Sequence, residues 1–121
     1  MTILNFFKTF YHASRGIFVS IRSERNMRVH IFAATTVLVL ATLLDITFPD
    51  LLIVVLLIGI VISAEMMNTS IEKVCNILRD KYHLPYEDSR DIRDIAAGGV
   101  WVQAIIAAIV GILIFSRYFT Q

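Results

Sequence analysis

The chain has 121 residues, of which 57% are hydrophobic and 17% are charged, and its formal net charge is +1. This composition is richer in apolar residues than that of an ordinary soluble domain, and the length allows one small domain rather than two. The net charge by itself says nothing about nucleic acid, but no dense basic run appears and we expect no nucleic-acid partner. The single cysteine, Cys75, excludes an internal disulfide bond and a cysteine-based metal cluster.

The N-terminal segment predicts an amphipathic surface helix over about 2–22. On a helical wheel, large apolar side chains share one face and basic side chains border it (Ile3, Phe7, Phe10, Tyr11, Phe18 and Ile21; Lys8, His12, Arg15 and Arg22). Aromatic anchors with a basic edge suit a helix that lies in the membrane interface. The alternative is a helix facing the core of a soluble protein, which the apolar spans downstream disfavour.

Three apolar spans follow, over about 28–48, 50–72 and 94–116. A helix needs about 20 residues to cross the hydrocarbon core of a bilayer. The third span meets this length with residues 95–115 alone, which carry no charge, and the first two meet it if polar residues at their ends are tolerated. We therefore predict an all-α membrane protein with one surface helix and three transmembrane helices. Residues 1–121 are expected to form a single domain.

The basic residues predict how the spans are oriented. Ten of the eleven Lys and Arg residues precede the first span or lie between the second and third spans, and the remaining one is Arg117. The turn between the first two spans carries Asp45 and Asp50 and no basic residue. By the positive-inside rule, the N-terminus lies in the cytoplasm and the C-terminus lies outside.

A polar stripe leaves the second apolar span. At 100° per residue, five polar side chains share an arc of about 80°: Glu65, Asn68, Glu72, Asn76 and Arg79. A carboxylate inside a membrane costs about 2.5–3.5 kcal/mol, so the stripe should face other helices or a wet cleft. Two alternatives remain open. Thr69 to Glu72 could form a capping box that starts a new helix, or the stripe could be a solvated face beyond the membrane.

Further charges fall at the same edge of the membrane. Glu24 precedes the first span, and Arg93 with Asp94 begins the third. Carboxylates can bind magnesium when phosphate oxygens complete its coordination, and arginine supplies fixed positive charge for phosphate. The group therefore suits phosphoryl transfer, which depends on positioning and electrostatics. An ion path would use similar residues, so the residues alone leave a small ion carrier or a membrane assembly subunit as alternatives.

Three segments carry a family resemblance: "ERNMRVH", "AEMMNTSIEKV" and "RDIAAGGV", in this order with these spans between them. They resemble the small prokaryotic diacylglycerol kinases, a family that includes the undecaprenol kinases of Gram-positive bacteria. The resemblance covers nearly the whole chain. It implies a homotrimer in the bacterial plasma membrane that transfers the γ-phosphate of ATP to a lipid hydroxyl, with Mg²⁺ as cofactor.

The resemblance also implies roles for individual residues. Glu65 matches the general base, with Asn68 beside it, and Glu24 and Glu72 match the carboxylates that hold the divalent metals. The expected nucleotide contacts are Tyr82, His83, Arg93 and Asp94. Arg93 stands where the family has a lysine, which keeps the charge but changes the geometry of phosphate binding.

The lipid substrate is predicted from two features. The segment "ERNMRVH" and a long loop between His83 and Arg93 are more similar to the undecaprenol kinases than to the Gram-negative diacylglycerol enzymes. The resemblance therefore favours undecaprenol as substrate, with undecaprenyl phosphate as product. The alternative is diacylglycerol, which would give phosphatidic acid.

Overall fold

The structure is a computed structural model that describes residues 2–121. Within this part of the chain there are four α-helices and no strand: α1 (Ile3–Ser23), α2 (Arg25–Leu43), α3 (Phe48–Tyr82) and α4 (Tyr86–Phe119). The helices α2, α3 and α4 are long and apolar enough to cross a membrane. The predicted fold class, an all-α membrane protein with a surface helix and three spans, is confirmed.

The surface helix α1 is held to α2 at its C-terminal end. The guanidinium of Arg28 on α2 donates to the carbonyl oxygens of Ile21 and Arg22 at 3.1 and 3.0 Å. A cation at this position also interacts favourably with the negative end of the helix dipole. Between the helices Glu24 alone is extended, with φ −116° and ψ 123°. The chain therefore turns from surface helix to span within one residue.

The first span ends earlier than predicted, at Leu43 rather than near residue 48. Asp45 adopts a left-handed conformation with φ 48°, and the Ile46 N–H donates to the carbonyl of Ala41 at 3.2 Å. This is the hydrogen-bond pattern that commonly closes a helix C-terminus. The residues "FPD" that follow open α3 instead, with Pro49 in the first turn, where its missing N–H is tolerated.

The second span continues as one helix well beyond its predicted end at residue 72. Helix α3 runs unbroken to Tyr82, so Thr69 lies in a helix interior and the capping-box alternative is wrong. At 1.5 Å per residue α3 is about 52 Å long, against about 30 Å for the hydrocarbon core of a bilayer. One end of α3 must therefore project from the membrane. Helix α3 ends at Tyr82, and the residue that caps it, His83, has a left-handed backbone with φ 56°.

The predicted loop before Arg93 is helical. Helix α4 begins at Tyr86 rather than near residue 94, and only residues 83–85 separate it from α3. Pro85 precedes the helix, Glu87 and Asp88 lie in its first turn, and Arg90 pairs with Glu87 at 2.8 Å. Acidic residues near a helix N-terminus and ion pairs three residues apart both favour the helix. This start was missed because the third helix was placed only where the apolar span begins, near residue 94.

A hydrogen-bonded group joins the start of α3 to the end of α4, and we call it the Asp50 cluster (Thr47, Asp50, Arg117 and Tyr118). Arg117 Nη2 donates to Asp50 Oδ1 at 2.7 Å, and the Tyr118 hydroxyl donates to Asp50 Oδ2. The Thr47 N–H donates to the Tyr118 oxygen at 2.9 Å. An apolar core lies beside it, formed by Ala41, Val54, Ile114 and Phe115. This cluster fixes one end of the three-helix bundle.

Candidate functional site

Of the five residues predicted for the polar stripe of α3, Arg79 is exposed and pairs with Asp80. We therefore use the name polar stripe for the other four: Glu65, Asn68, Glu72 and Asn76. Glu65 is 3% exposed and Asn68 is 4% exposed, although each is polar. The solvated-face alternative is therefore wrong for this part of the stripe. Glu65 lies about 26 Å along the axis from the start of α3. The stripe thus begins near the far edge of the membrane core and runs out of it.

Two buried polar atoms of the stripe region lack partners. The Asn68 amide donates from Nδ2 to Glu72 Oε1 at 3.2 Å, which fixes the orientation of both side chains. Among residues 2–121, Asn68 Oδ1 and Thr69 Oγ1 are buried without a hydrogen-bond partner. An unsatisfied buried polar group costs about 1–3 kcal/mol, and folded proteins keep few of them. Such atoms are typical of a site whose partner is a ligand.

The corner between α1 and α2 brings Glu24 to the stripe. Glu24 occupies the N-cap position of α2, but its side chain makes no capping hydrogen bond. Its carboxylate lies 3.8 Å from the Lys73 ammonium on α3, next to Glu72 in the chain. The charges of Glu24 and Glu72 are near enough to Glu65 to repel its carboxylate. Three acidic side chains from two elements therefore share one region.

These carboxylates fit a magnesium site that needs a ligand to complete it. Within residues 2–121, no group of three or more His, Cys, Asp and Glu side chains could hold a metal by itself. Magnesium is usually bound by one or two carboxylates together with waters and substrate phosphates. Glu24, Glu72 and the unpartnered Asn68 Oδ1 supply oxygen donors of this kind. The residues present therefore fit Mg²⁺ that arrives with a phosphorylated ligand.

Arg93 is held at the outer end of the stripe. Its Nη2 donates to Asn76 Oδ1 at 3.0 Å, and its Nε lies 3.4 Å from Ser89 Oγ. Its guanidinium also lies over the Tyr86 ring, 5.4 Å from the centroid. Tyr86 was missed by the sequence analysis, because the segment carrying it was taken for a loop. A guanidinium fixed in this way is ready to meet an anion without further ordering.

The other expected nucleotide contacts lie apart from the stripe. Tyr82 and His83 are exposed at the turn between α3 and α4, and Asp94 is exposed on α4. The structure thus brings Glu24, Glu65, Asn68, Glu72 and Arg93 to one face of the molecule. Tyr82, His83 and Asp94 face solvent near the outer end of the polar stripe.

His30 is a polar neighbour of Glu65 that the sequence analysis did not identify. Its Nε2 lies 3.6 Å from Glu65 Oε2. Only polar residues in phase with Glu65 or at the ends of the other spans were considered as its neighbours, and His30 lies inside the first span. The available signal was different: an ionisable side chain inside an apolar span is a candidate functional residue wherever it occurs.

Two cavities meet beside Glu65. The first, of about 300 Å³, is lined by the polar residues Asn26, His30, Glu65 and Asn68 and by Trp101 and four smaller apolar residues. The second, of about 480 Å³, is an apolar groove between α2, α3 and α4. His30 and Ala104 line both cavities. A molecule with a polar head and a long apolar tail matches this pair of cavities in chemistry.

Comparison with known proteins gives two clear similarities. The sequence model of the family described as "Prokaryotic diacylglycerol kinase" matches residues 11–115. The undecaprenol kinase of Bacillus subtilis is 43% identical over 110 residues, which cover 91% of this chain and 87% of that protein. The diacylglycerol kinase of a Synechocystis species is 32% identical over 108 residues, which cover 88% of this chain and 60% of that protein. No solved structure matches the chain significantly.

Proposed function

The chain belongs to the prokaryotic diacylglycerol kinase family, and on that premise we propose that it phosphorylates undecaprenol with ATP, giving undecaprenyl phosphate. The observation that carries the choice of lipid is the similarity to an undecaprenol kinase over nearly the whole chain. The long loop that also favoured this lipid is in fact helical, so it no longer contributes. Kinase relatives speak against an ion carrier or an assembly subunit.

We propose Glu65 as the general base. Its carboxylate faces the polar cavity, beneath which the apolar groove runs along the membrane spans. A lipid alcohol can leave its tail in the apolar region and bring its hydroxyl to Glu65. The carboxylate then takes the hydroxyl proton as the oxygen attacks the γ-phosphorus. General bases contribute about 10²–10⁴-fold to such rates. Asn68, beside Glu65, orients the reacting groups.

The nucleotide is assigned to the projecting end of the bundle. Glu24 and Glu72 would hold Mg²⁺, which when bound neutralises the charge of the ATP phosphates. Arg93, already fixed by Asn76, supplies positive charge for a phosphate. Tyr82, His83 and Asp94 are available there for further nucleotide contacts. These assignments apply the residue roles of the family to the matching residues of this chain.

Assembly and orientation complete the proposal. We propose a homotrimer in the plasma membrane, with the N-terminus in the cytoplasm and the C-terminus outside. Gly98 and Gly99 on α4 support close packing between chains, because a Cβ built at either position meets no atom within 4 Å beyond the adjacent residues and the local backbone of its own helix. Small residues let membrane helices approach closely. The distribution of basic residues supports the orientation.

Diacylglycerol is the second candidate substrate, favoured by the similarity to a diacylglycerol kinase. The test is phosphate transfer from γ-labelled ATP to a panel of lipid alcohols in detergent micelles. We expect undecaprenol to be labelled by the wild-type protein and not by Glu65→Gln. Asp45→Asn is the matched control, because it also converts a carboxylate to an amide, but at an exposed turn. Labelling of diacylglycerol with no labelling of undecaprenol would contradict the proposed substrate.

A further inference from the structure

The most buried carboxylate of the site has one ionisable neighbour within ion-pair distance. Among residues 2–121, the only such partner of Glu65 is His30, with Nε2 at 3.6 Å from Oε2. The two side chains differ in access, since His30 is 22% exposed and Glu65 is 3% exposed. A base that receives a proton in such a place must also lose it before the next turnover. His30 lies on the more open side of this pair.

The reaction leaves one proton to be removed in each cycle. The bond between the lipid oxygen and the γ-phosphorus forms as the bond from that phosphorus to the β–γ bridging oxygen breaks, and ADP leaves. The hydroxyl proton passes to the Glu65 carboxylate, which becomes neutral. Transfer of this proton to a neutral imidazole regenerates the carboxylate and gives an imidazolium. Loss of that proton to water then restores both groups.

The surroundings of His30 provide an outlet for the proton. His30 and Glu65 are the two titratable groups that line the polar cavity, and α4 contributes Ala97, Val100, Trp101 and Ala104 without a charge. On α2, Asn26 lines the same cavity one turn closer to the corner at Glu24. Glu24 and Glu72 are further carboxylates whose charges are close enough to act on Glu65. The path from Glu65 past His30 therefore leads toward the end of α2 that lies outside the membrane core.

We propose that His30 is a relay residue that takes the proton from Glu65 and releases it toward the α1–α2 corner. The inference rests on the proposed function, since it concerns the base of that reaction. His30 lies on α2 and acts on the reaction through Glu65, which lies on α3. Because it also lines the apolar groove, it lies where a lipid hydroxyl would pass on its way to the base.

The first test separates proton transfer from a purely structural role. His30→Gln keeps a side chain that can form hydrogen bonds, but its amide cannot accept and release a proton near neutral pH. His30→Ala removes the imidazole and opens space beside both cavities. We expect both variants to lower kcat about 10²-fold, at the lower end of the range for acid–base groups. KM for ATP and lipid should stay within about twofold of wild type, because the relay is used after binding. Added imidazole should restore activity to His30→Ala and not to His30→Gln.

Thr36→Ala is the matched control on the same helix. The Thr36 hydroxyl is exposed and bonds only the Phe32 carbonyl of its own helix, so its removal should leave kcat unchanged. Wild-type kcat in His30→Gln would show that a hydrogen bond suffices and would overturn the relay. A low kcat in His30→Ala without rescue by imidazole would overturn it as well. A wild-type protein that phosphorylates no lipid would instead refute the proposed function from which the inference starts.

A second test needs no turnover and remains available if His30→Ala does not fold. In protein labelled with ¹⁵N-histidine, the three imidazoles can be followed by NMR. At one fixed pH, Glu65→Gln should change the imidazole ¹⁵N chemical shifts of His30 and leave those of His12 and His83 unchanged, because only His30 lies beside that carboxylate. Identical His30 shifts in wild type and Glu65→Gln would show that the two side chains are not in contact, and would overturn the relay.

Discussion

Each end of the bundle holds a buried carboxylate, and the two carboxylates have opposite kinds of neighbour. Asp50 and Glu65 lie on the same helix, about 22 Å apart, and each is less than a tenth exposed. Asp50 is surrounded by donors, since Thr47, Arg117 and Tyr118 all bond it. Glu65 has one ionisable partner at ion-pair distance and lies near two other carboxylates. The first arrangement stabilises a negative charge, and the second leaves it reactive.

The difference separates stability from function within one small chain. At the Asp50 cluster both carboxylate oxygens of Asp50 accept hydrogen bonds, as buried polar groups in folded proteins usually do. At the polar stripe Asn68 Oδ1 and the neighbouring Thr69 Oγ1 stay unpaired, and Asn68 lines the polar cavity. A substitution should therefore affect mainly activity at one end and mainly unfolding at the other. The predictions below test that separation, beginning with the largest expected effect.

The largest effect is expected for Glu65→Gln. The amide keeps the volume of the carboxylate but cannot accept the lipid proton, so kcat should fall about 10²–10⁴-fold. Thermal unfolding in detergent, followed by circular dichroism, should show a midpoint no lower than that of wild type, since like charges are removed from the stripe. A Glu65→Gln variant that is active but unstable would mean that Glu65 serves stability rather than catalysis.

The next largest effect concerns Glu24→Gln and Glu72→Gln. Each removes an anionic ligand for a hard cation, so the Mg²⁺ concentration for half-maximal rate should rise about tenfold, equivalent to about 1.4 kcal/mol. The measurement is a magnesium titration of initial rates at saturating ATP. Asp45→Asn serves as the control for the loss of one carboxylate. Unchanged titrations for both glutamate variants would remove them from the metal site.

At the opposite end, Asp50→Asn should lower stability and spare activity. The amide offers Arg117 no charge and gives the cluster one acceptor fewer, so the midpoint of thermal unfolding should fall by several degrees. The initial rate at a temperature well below this midpoint should match wild type. The same pair of measurements on Asp45→Asn, an exposed carboxylate nearby, should show neither change. A loss of rate in the folded variant would show that the two ends are coupled.

The smallest effect is expected for Gly99→Leu, which tests the surface between chains. Within one chain there is room for the larger side chain, so folding should be unaffected. If neighbouring chains pack there, the oligomer should loosen and activity should fall partially. Chemical cross-linking and rate measurements on the same preparation provide the test. Cross-linking that finds only monomers in a fully active wild-type preparation would contradict the trimer.

The spans and the stripe could be predicted because each depends on a strong periodic pattern. Runs of apolar residues long enough to cross a bilayer leave few alternatives to helix, and Glu65 with Asn68 in phase predicts a buried face. The boundaries were less predictable. The first span ends at Leu43, followed by a left-handed Asp45. Helix α4 starts eight residues earlier than predicted, where acidic residues in the first turn and an ion pair favour a helix in a polar segment.

The missed residues are those whose partners lie far along the chain. His30 meets Glu65 from another helix, and Asp50 meets Tyr118 across most of the sequence. No local pattern encodes such pairs, because they depend on how the helices pack. Asp50 was counted only as a charge in a turn, and His30 was given no role. Both are ionisable groups at the edge of an apolar span, where a partner should always be sought.

The most direct measurement of the central claim is a competition between the two candidate lipids at the Glu65 end. Undecaprenol and diacylglycerol are mixed at equal mole fraction in one micelle with γ-labelled ATP, and both phosphorylated products are counted. The account predicts an excess of undecaprenyl phosphate from the wild-type protein and loss of both products in Glu65→Gln. A clear excess of phosphatidic acid would contradict the proposed substrate, and activity that survives in Glu65→Gln would contradict the proposed base.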